Sequence, residues 1–432
     1  MKTPLKLGTS KVDITPETPI PLAGFAHRTG EFEHIAHQLY ARIHCFEQSD
    51  DLETKTTALL VSADLIWWGS DLVKKLTPQL QERYGFQTVV LHATHTHSGP
   101  QTSDCFLEAL GKPDPHYLKD LEQRLLVGIE QALQNMEPVT IQRGTGQCLI
   151  GVNRRKECDG QIVMAPNESG PVDSSVTVIR FRELSGRIKG LFVHYTCHPT
   201  TTGENEISSE YCGVAMERIE QSLGENIIGA FLQGCCGDIR PALVNEGEFY
   251  RGHRMEVERF GSWLSEEVLR INSLPMDELT PADLKSKTIV LPLAFQSVLT
   301  VNELEEQANR TDIHGECARL LLRQQQRSNA SIPLEITRLD LAKELSFITF
   351  NAEIVVDYGT FVKDTSHGRM LPLGYTNGMI GYVPTSDQLA QGGYESQESV
   401  PYFGLPSSFH PQVEGIICST ISQLIGEEQN YE

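Results

Sequence analysis

The sequence predicts an α/β fold: a central mixed sheet flanked by helices, a site at the strand carboxyl ends, and a smaller C-terminal α+β subdomain. Three observations predict it. Apolar runs of strand length alternate with stretches whose apolar residues recur at helical spacing. Val176–Phe181 and Gly190–Tyr195 flank the turn-forming Leu184-Ser185-Gly186 and read as a hairpin, which brings antiparallel pairing into the sheet. Three runs, the second strand of that hairpin among them, end in polar turns marked by glycine or proline, where an open α/β sheet collects its ligands.

In chain order, residues 8–17 read as a short strand stopped by Pro16, and residues 40–47 and 58–62 as two more. Leu72, Val73, Leu76 and Leu80 define a helix that Gly85 ends as a C-cap. Residues 117–136 form an amphipathic helix with Leu118, Leu121, Leu125, Ile129, Leu133 and Met136 as its stripe. Strand and turn material fills 139–165. After the hairpin comes Cys197-His198-Pro199-Thr200, then a helix capped by Ser208 or Ser209 and running to about Leu223. Ile227–Leu232 is a strand ending in Gly234-Cys235-Cys236-Gly237-Asp238-Ile239-Arg240-Pro241. The next helix, 254–272, should bury Met255, Val257, Phe260, Trp263, Leu264 and Val268.

A polar, proline-containing stretch then marks a linker at 273–285, dividing a 1–272 α/β region from a 286–432 α+β subdomain. The subdomain should hold a strand (288–295) and a charged helix (301–327) that reads as an exposed face or a homo-oligomer contact. A strand pair (336–341, 345–350) and a helix opened by Glu353 (353–364) follow. A strand region over Leu371–Tyr382, a polar loop to Gly404 and a terminal helix over Pro411–Leu424 complete the order.

Composition narrows the function. A net charge of −21 disfavours nucleic acid and anionic membrane surfaces, which need a basic footprint. No window is apolar enough for a membrane-spanning helix, and the first residues lack the apolar core of a secretory signal, so the expected location is cytoplasmic. The ten cysteines form no CxxC pair and read as buried or free thiols.

The chemistry points to His95-Thr96-His97-Ser98-Gly99-Pro100, which follows the apolar run Thr88–Leu91. On an extended backbone, positions two apart face the same side, so both rings could face one cavity. Imidazole is both a common metal ligand and a general acid/base near neutral pH. The alternative is a polar loop with two solvated histidines.

Beyond these residues the chain resembles the neutral/alkaline non-lysosomal ceramidase family. The resemblance rests on GTSKVDITP (Gly8–Pro16), Ser62-Ala63-Asp64-Leu65, THTHSGP (Thr94–Pro100), Asn153-Arg154, His198-Pro199-Thr200, Gly237–Pro241, Gly381–Thr385 and Tyr394-Glu395. These run in family order across nearly the whole chain. The resemblance implies zinc-dependent hydrolysis of an N-acyl amide by metal-activated water. It implies that His95, His198, Glu353 and Tyr382 hold Zn2+. His97 would be the base or a transition-state stabiliser, Arg154 would grip a substrate oxygen and Tyr394 would hydrogen-bond the substrate or oxyanion; Arg155, next door, reads as a solvated surface charge. Glu353 could equally be a first-turn helix acid.

The chain departs from the family in three ways. The family serine of Gly-Asp-x-Ser-Pro is Arg240 here, and a guanidinium cannot act as a nucleophile. Arg240 is therefore a candidate site residue for binding a carboxylate or phosphate on the substrate, or else the partner of Asp238 or another loop acid. No C-terminal β-sandwich is expected, and no membrane-facing apolar segment. Together these suggest a small N-acylated substrate other than ceramide. Asp64 and Asp238 would orient a ligating histidine or cap a turn. The competing expectations are an inactive member that binds a metal or ligand, with Arg240 as the lesion, and an esterase using the same site.

Overall fold

In the computed structural model, which describes residues 4–50, 52, 54–224, 226–324 and 330–426, the N-terminal half alternates strands and helices. The first elements are β1 (Lys6–Asp13), β2 (Tyr40–Ser49), β3 (Lys55–Ala63), α1 (Ser70–Tyr84), β4 (Thr88–Ala93) and α2 (Pro115–Leu133). Next come β5 (Glu137–Gln147), β6 (Gly151–Cys158), β7 (Gln161–Asn167), β8 (Ser175–Glu183), β9 (Ile188–Tyr195), α3 (Glu210–Leu223), β10 (Ile228–Gln233), β11 (Ile239–Pro241) and α4 (Arg254–Ser273). Gly85 caps α1 with φ of +75°, its N–H returning to Gln81 O, as a residue free of Cβ strain can. Asp114 caps α2, which ends before Met136.

Eight strands make one path, β10-β9-β8-β5-β1-β2-β3-β4. It is mixed, as expected: β3–β4 and β9–β10 run parallel, while β8–β9 and the remaining neighbours are antiparallel. The path's two ends approach each other. Gln233 N donates to His92 Nε2 at 2.9 Å, and Ser62 Oγ donates to Phe231 O at 2.6 Å. The carboxyl ends of β4, β9 and β10 therefore open onto one place.

One buried charge supports this face of the sheet. Arg42, 1% exposed, donates to Asp64 Oδ2 at 3.2 Å and to Glu220 Oε1 at 3.0 Å. An unpaired guanidinium there would cost several kcal/mol, so both acids are needed.

The second half supplies β12 (Pro281–Ala294), α5 (Val301–Gln307), α6 (Ile313–Arg323), β13 (Ser331–Ala342) and β14 (Leu345–Phe350). It continues with β15 (Glu353–Ile354), α7 (Val356–Thr365), β16 (Met370–Leu373), β17 (Tyr382–Val383), α8 (Ser386–Gln391) and α9 (Val413–Gly426). β12, β13, β14 and β16 form a second sheet in that order. Its Leu339, Phe347 and Leu371 pack with Phe46, Ile179 and Phe192 of the first sheet in one apolar cluster. The predicted linker segment contains a short strand, Asp277–Glu278, paired with β5.

Four local expectations are corrected. The 301–327 helix is two helices, because Asp312 accepts from Gly315 N and starts a second one; residues 325–327 lie outside those described. On α4, Met255 and Trp263 are exposed, since the buried stripe runs Val257, Phe260, Leu264, Val268, Ile271. The 353–364 helix starts only at Val356, which leaves Glu353 on a strand. The polar loop before Gly404 contains α8 and a π-helical turn, Tyr394–Glu398.

Candidate active site

His95 and His97 do converge, but strand alternation is not the cause. β4 ends at Ala93, and His95 has a φ of +69°, uncommon for a residue with a Cβ. Backbone bonds from Thr94 N to Ala63 O and from His95 N to Leu65 O hold the kink. Beyond it the two rings meet edge to face, their Nε2 atoms 3.2 Å apart. His198 comes from the turn after β9. One nitrogen from each of the three rings lies within 4.8 Å of the others.

Each ring is aimed through its second nitrogen. His95 Nδ1 lies 2.7 Å from Ile66 O, and His198 Nδ1 lies 2.6 Å from Cys236 O and 2.8 Å from Ile239 O. His97 Nδ1 is 3.2 Å from Gly24 O. Carbonyls only accept, so Nδ1 carries the proton and each Nε2 keeps a free lone pair. Gly24 is required here: its φ is +98°, and a Cβ would stand 2.5 Å from His97 Nδ1. Neither Asp64 nor Asp238 orients a ring. Asp64 accepts from Tyr40 N and Arg42, and Asp238 accepts from Val356 N and Gln388 Nε2.

Glu353 enters from the second half. Its Oε2 lies 3.2 Å from His198 Nε2 and 3.4 Å from His95 Nε2. Burial alone would raise its pKa, but attraction to and hydrogen bonds from His95 and His198 in their protonated forms outweigh that and hold the carboxyl well below its usual range. Tyr382 sits directly across from Glu353 in the parallel β15–β17 pair. Ligands about 2.0–2.1 Å from a tetrahedral zinc stand roughly 3.3 Å from one another. Glu353 Oε2 stands at that spacing from both His95 and His198, as His97 Nε2 does from His95, and two imidazole nitrogens with a carboxylate form a zinc-type donor set.

The remaining predicted residues form a shell around this group. Arg154 Nε donates to Glu395 Oε1 at 2.8 Å, and its guanidinium lies 5.4 Å from the centre of the Tyr382 ring. Its Nη2 is buried with no protein partner, leaving one donor free. Arg155 is not solvated. It is buried and donates to Glu395 Oε2 at 2.6 Å, so one carboxylate holds two adjacent guanidinium groups. Tyr394 packs edge-on against Tyr382, and the Arg154 guanidinium lies 5.2 Å from its ring centre. Arg240 pairs with neither Asp238 nor any other acid among the described residues. It lies over the Phe249 ring at 4.3 Å.

Sequence reasoning missed two residues. Tyr375 stacks on His95 at 3.9 Å, and its hydroxyl lies 3.1 Å from Cys236 Sγ. Its φ of +59° leaves no trace in the sequence beyond the preceding glycine. Glu395 could have been found: an acid inside a polar loop, beside a candidate site tyrosine, answers the unpaired Arg154-Arg155.

The family description "Neutral/alkaline non-lysosomal ceramidase, N-terminal" matches residues 5–254. The neutral ceramidase of Drosophila melanogaster is 25% identical over 263 residues, and that of Pseudomonas aeruginosa 24% over 256. These matches cover 55% and 56% of this chain but only 36% and 37% of those proteins, so the chain matches little more than a third of each relative's length. The crystal structure of the Pseudomonas aeruginosa neutral ceramidase superposes with a TM-score of 0.75 at 18% identity, covering 99% of this chain and 75% of that one. A ceramidase complexed with C2 superposes at 0.74. The family match spans more than half of the sequence, and the shared fold extends across both halves that build the site; the chain belongs to the neutral/alkaline non-lysosomal ceramidase family.

Proposed function

We propose that this chain is a metal-dependent amidohydrolase that cleaves the linear amide of an N-acyl compound, the reaction type that the name of its ceramidase relatives implies for ceramide. The observation that carries the reading is the meeting of His95, His198 and Glu353, the carboxylate at ligand spacing from both rings, with every histidine Nδ1 committed to a carbonyl. Those three, with Tyr382, would hold the ion, and the donor set suits Zn2+. When bound, such an ion supplies Lewis acidity toward the amide carbonyl and acidifies water.

The chain's own groups do the rest. His97 is 8% exposed, whereas His95 and His198 are fully buried, so His97 is the ring that faces an incoming substrate. Burial and the neighbouring His95 and His198 keep its pKa well below the usual value, so it is neutral with a free lone pair. It takes a proton from the attacking water and returns it to the leaving amine. Arg154 Nη2 and the Tyr394 hydroxyl stabilise the oxygen on which negative charge develops. Arg240 cannot be acylated, so water is the nucleophile.

The test is chelation followed by metal restoration, with turnover measured on N-acyl amino acids, N-acyl amines, short-chain ceramides and matched esters. Hydrolysis of an amide that is lost on chelation and restored by zinc supports the reading. A zinc-loaded protein that cleaves none of them would instead support a ligand-binding member, and cleavage of esters alone an esterase.

A further inference from the structure

We propose that Arg240, Arg251 and Arg28 form an anion-binding subsite beside the histidine cluster, so that the preferred substrate is an N-acyl compound bearing a carboxylate or phosphate. This rests on the amidase reading and narrows it to a substrate class. Arg240 follows Ile239, whose carbonyl accepts from the His198 backbone N–H at 3.2 Å and lies 2.8 Å from His198 Nδ1. It sits opposite Val152 in the β11–β6 pair, close to Arg154. Phe25 links the other two arginines to the site. Its ring lies 4.8 Å from that of His97, 4.1 Å from the Arg251 guanidinium and 5.0 Å from that of Arg28.

None of these three guanidinium groups pairs with a carboxylate among the described residues. Arg28 meets only the carbonyls of Ala23, His97 and Glu204, at 3.2, 2.7 and 3.0 Å, and its Nε has no partner. Arg240 meets the Phe249 ring and Met164 Sδ, and its Nε is also unpartnered. Arg28 and Arg240 are half-buried and Arg251 is exposed, whereas the fully buried arginines are paired: Arg42 with Asp64 and Glu220, Arg154 and Arg155 with Glu395, Arg338 with Asp340. With 57 acidic and 36 basic residues in the chain, acids are in excess, yet none pairs with these three; Glu210 and Glu206 act on Arg28 only from beyond ion-pair distance. Burial and repulsion from Arg251 lower Arg28 to about 10; burial, Arg154 and Arg251 do the same to Arg240. These are cations missing an anion, and an Arg fork suits carboxylate or phosphate oxygens.

The experiment compares amides sharing one acyl chain, in the zinc-loaded enzyme: N-lauroylglycine, N-lauroylphosphoethanolamine and neutral N-lauroylethanolamine. The expected result is a kcat/KM at least about tenfold higher for an anionic amide, a charged hydrogen bond's worth of selectivity, with the glycine and phosphoethanolamine arms identifying the anion. In Arg240→Gln and Arg251→Gln the anionic-to-neutral ratio should fall by about tenfold. A wild-type ratio near one, or a ratio unmoved by both substitutions, overturns the subsite and leaves the amidase reading standing. If no amide is turned over, the amidase reading has failed and calorimetric Kd values for the same compounds decide the subsite. A preference for the anionic amides that Arg240→Gln removes supports it, and equal Kd values overturn it.

Discussion

His198 Nε2 and Glu353 Oε2 lie 3.2 Å apart although 155 positions separate them in the chain. His198 lies in the turn after a strand of the first sheet, and Glu353 lies on a two-residue strand of the second half. The contact joins the two halves at the site, and both partners are buried.

His97→Asn separates proton transfer from ligation. His97 is the most exposed ring of the three and has the longest Nδ1 contact. The variant should keep its metal, measured by elemental analysis, while kcat falls by about 10²–10⁴. Loss of metal together with activity would place His97 among the ligands.

Glu395→Ala tests the shell. Removing this carboxylate leaves Arg154 and Arg155 buried without a counter-charge. The expected destabilisation is about 3–5 kcal/mol by urea unfolding. An unchanged unfolding midpoint would mean that water or another group already neutralises the pair.

Glu210 gives a pH signature. It is fully buried with φ of +56°, and it accepts from Thr202 N at 3.0 Å and Tyr211 N at 3.3 Å. Burial pushes its pKa up to about 7, despite those donors. The unfolded carboxyl loses its proton near pH 4.5, while the folded one holds it to about 7. This group's contribution is therefore fully present below about pH 4.5 and is lost as pH rises to 7, a difference of about 3 kcal/mol. Glu210→Gln should flatten that part of the stability profile between pH 5 and 7.5.

Much of the fold was legible because strand runs and helical stripes are local. Thr88–Leu91, the 176–195 hairpin and the stripe of α1 follow from spacing alone. The failures have physical causes. Glu353 reads as a helix acid because the helix begins three residues later and the strand it joins is only two residues long. The 301–327 pattern hides a break because Asp312 caps a new helix inside a polar run. The two rings of the His-x-His pair converge through a left-handed residue that no apolar period records. Arg155 reads as solvated because its partner, Glu395, lies 240 positions away.

The central claim is that His95, His198 and Glu353 jointly hold one divalent ion needed for amide hydrolysis. The most direct measurement is zinc stoichiometry with amidase rate, on the wild type and on His95→Ala and His198→Ala. The account predicts one ion per chain in the wild type, and near-zero metal and no turnover in either variant. A His95→Ala or His198→Ala protein that retains its ion and hydrolyses amide at the wild-type rate would contradict it.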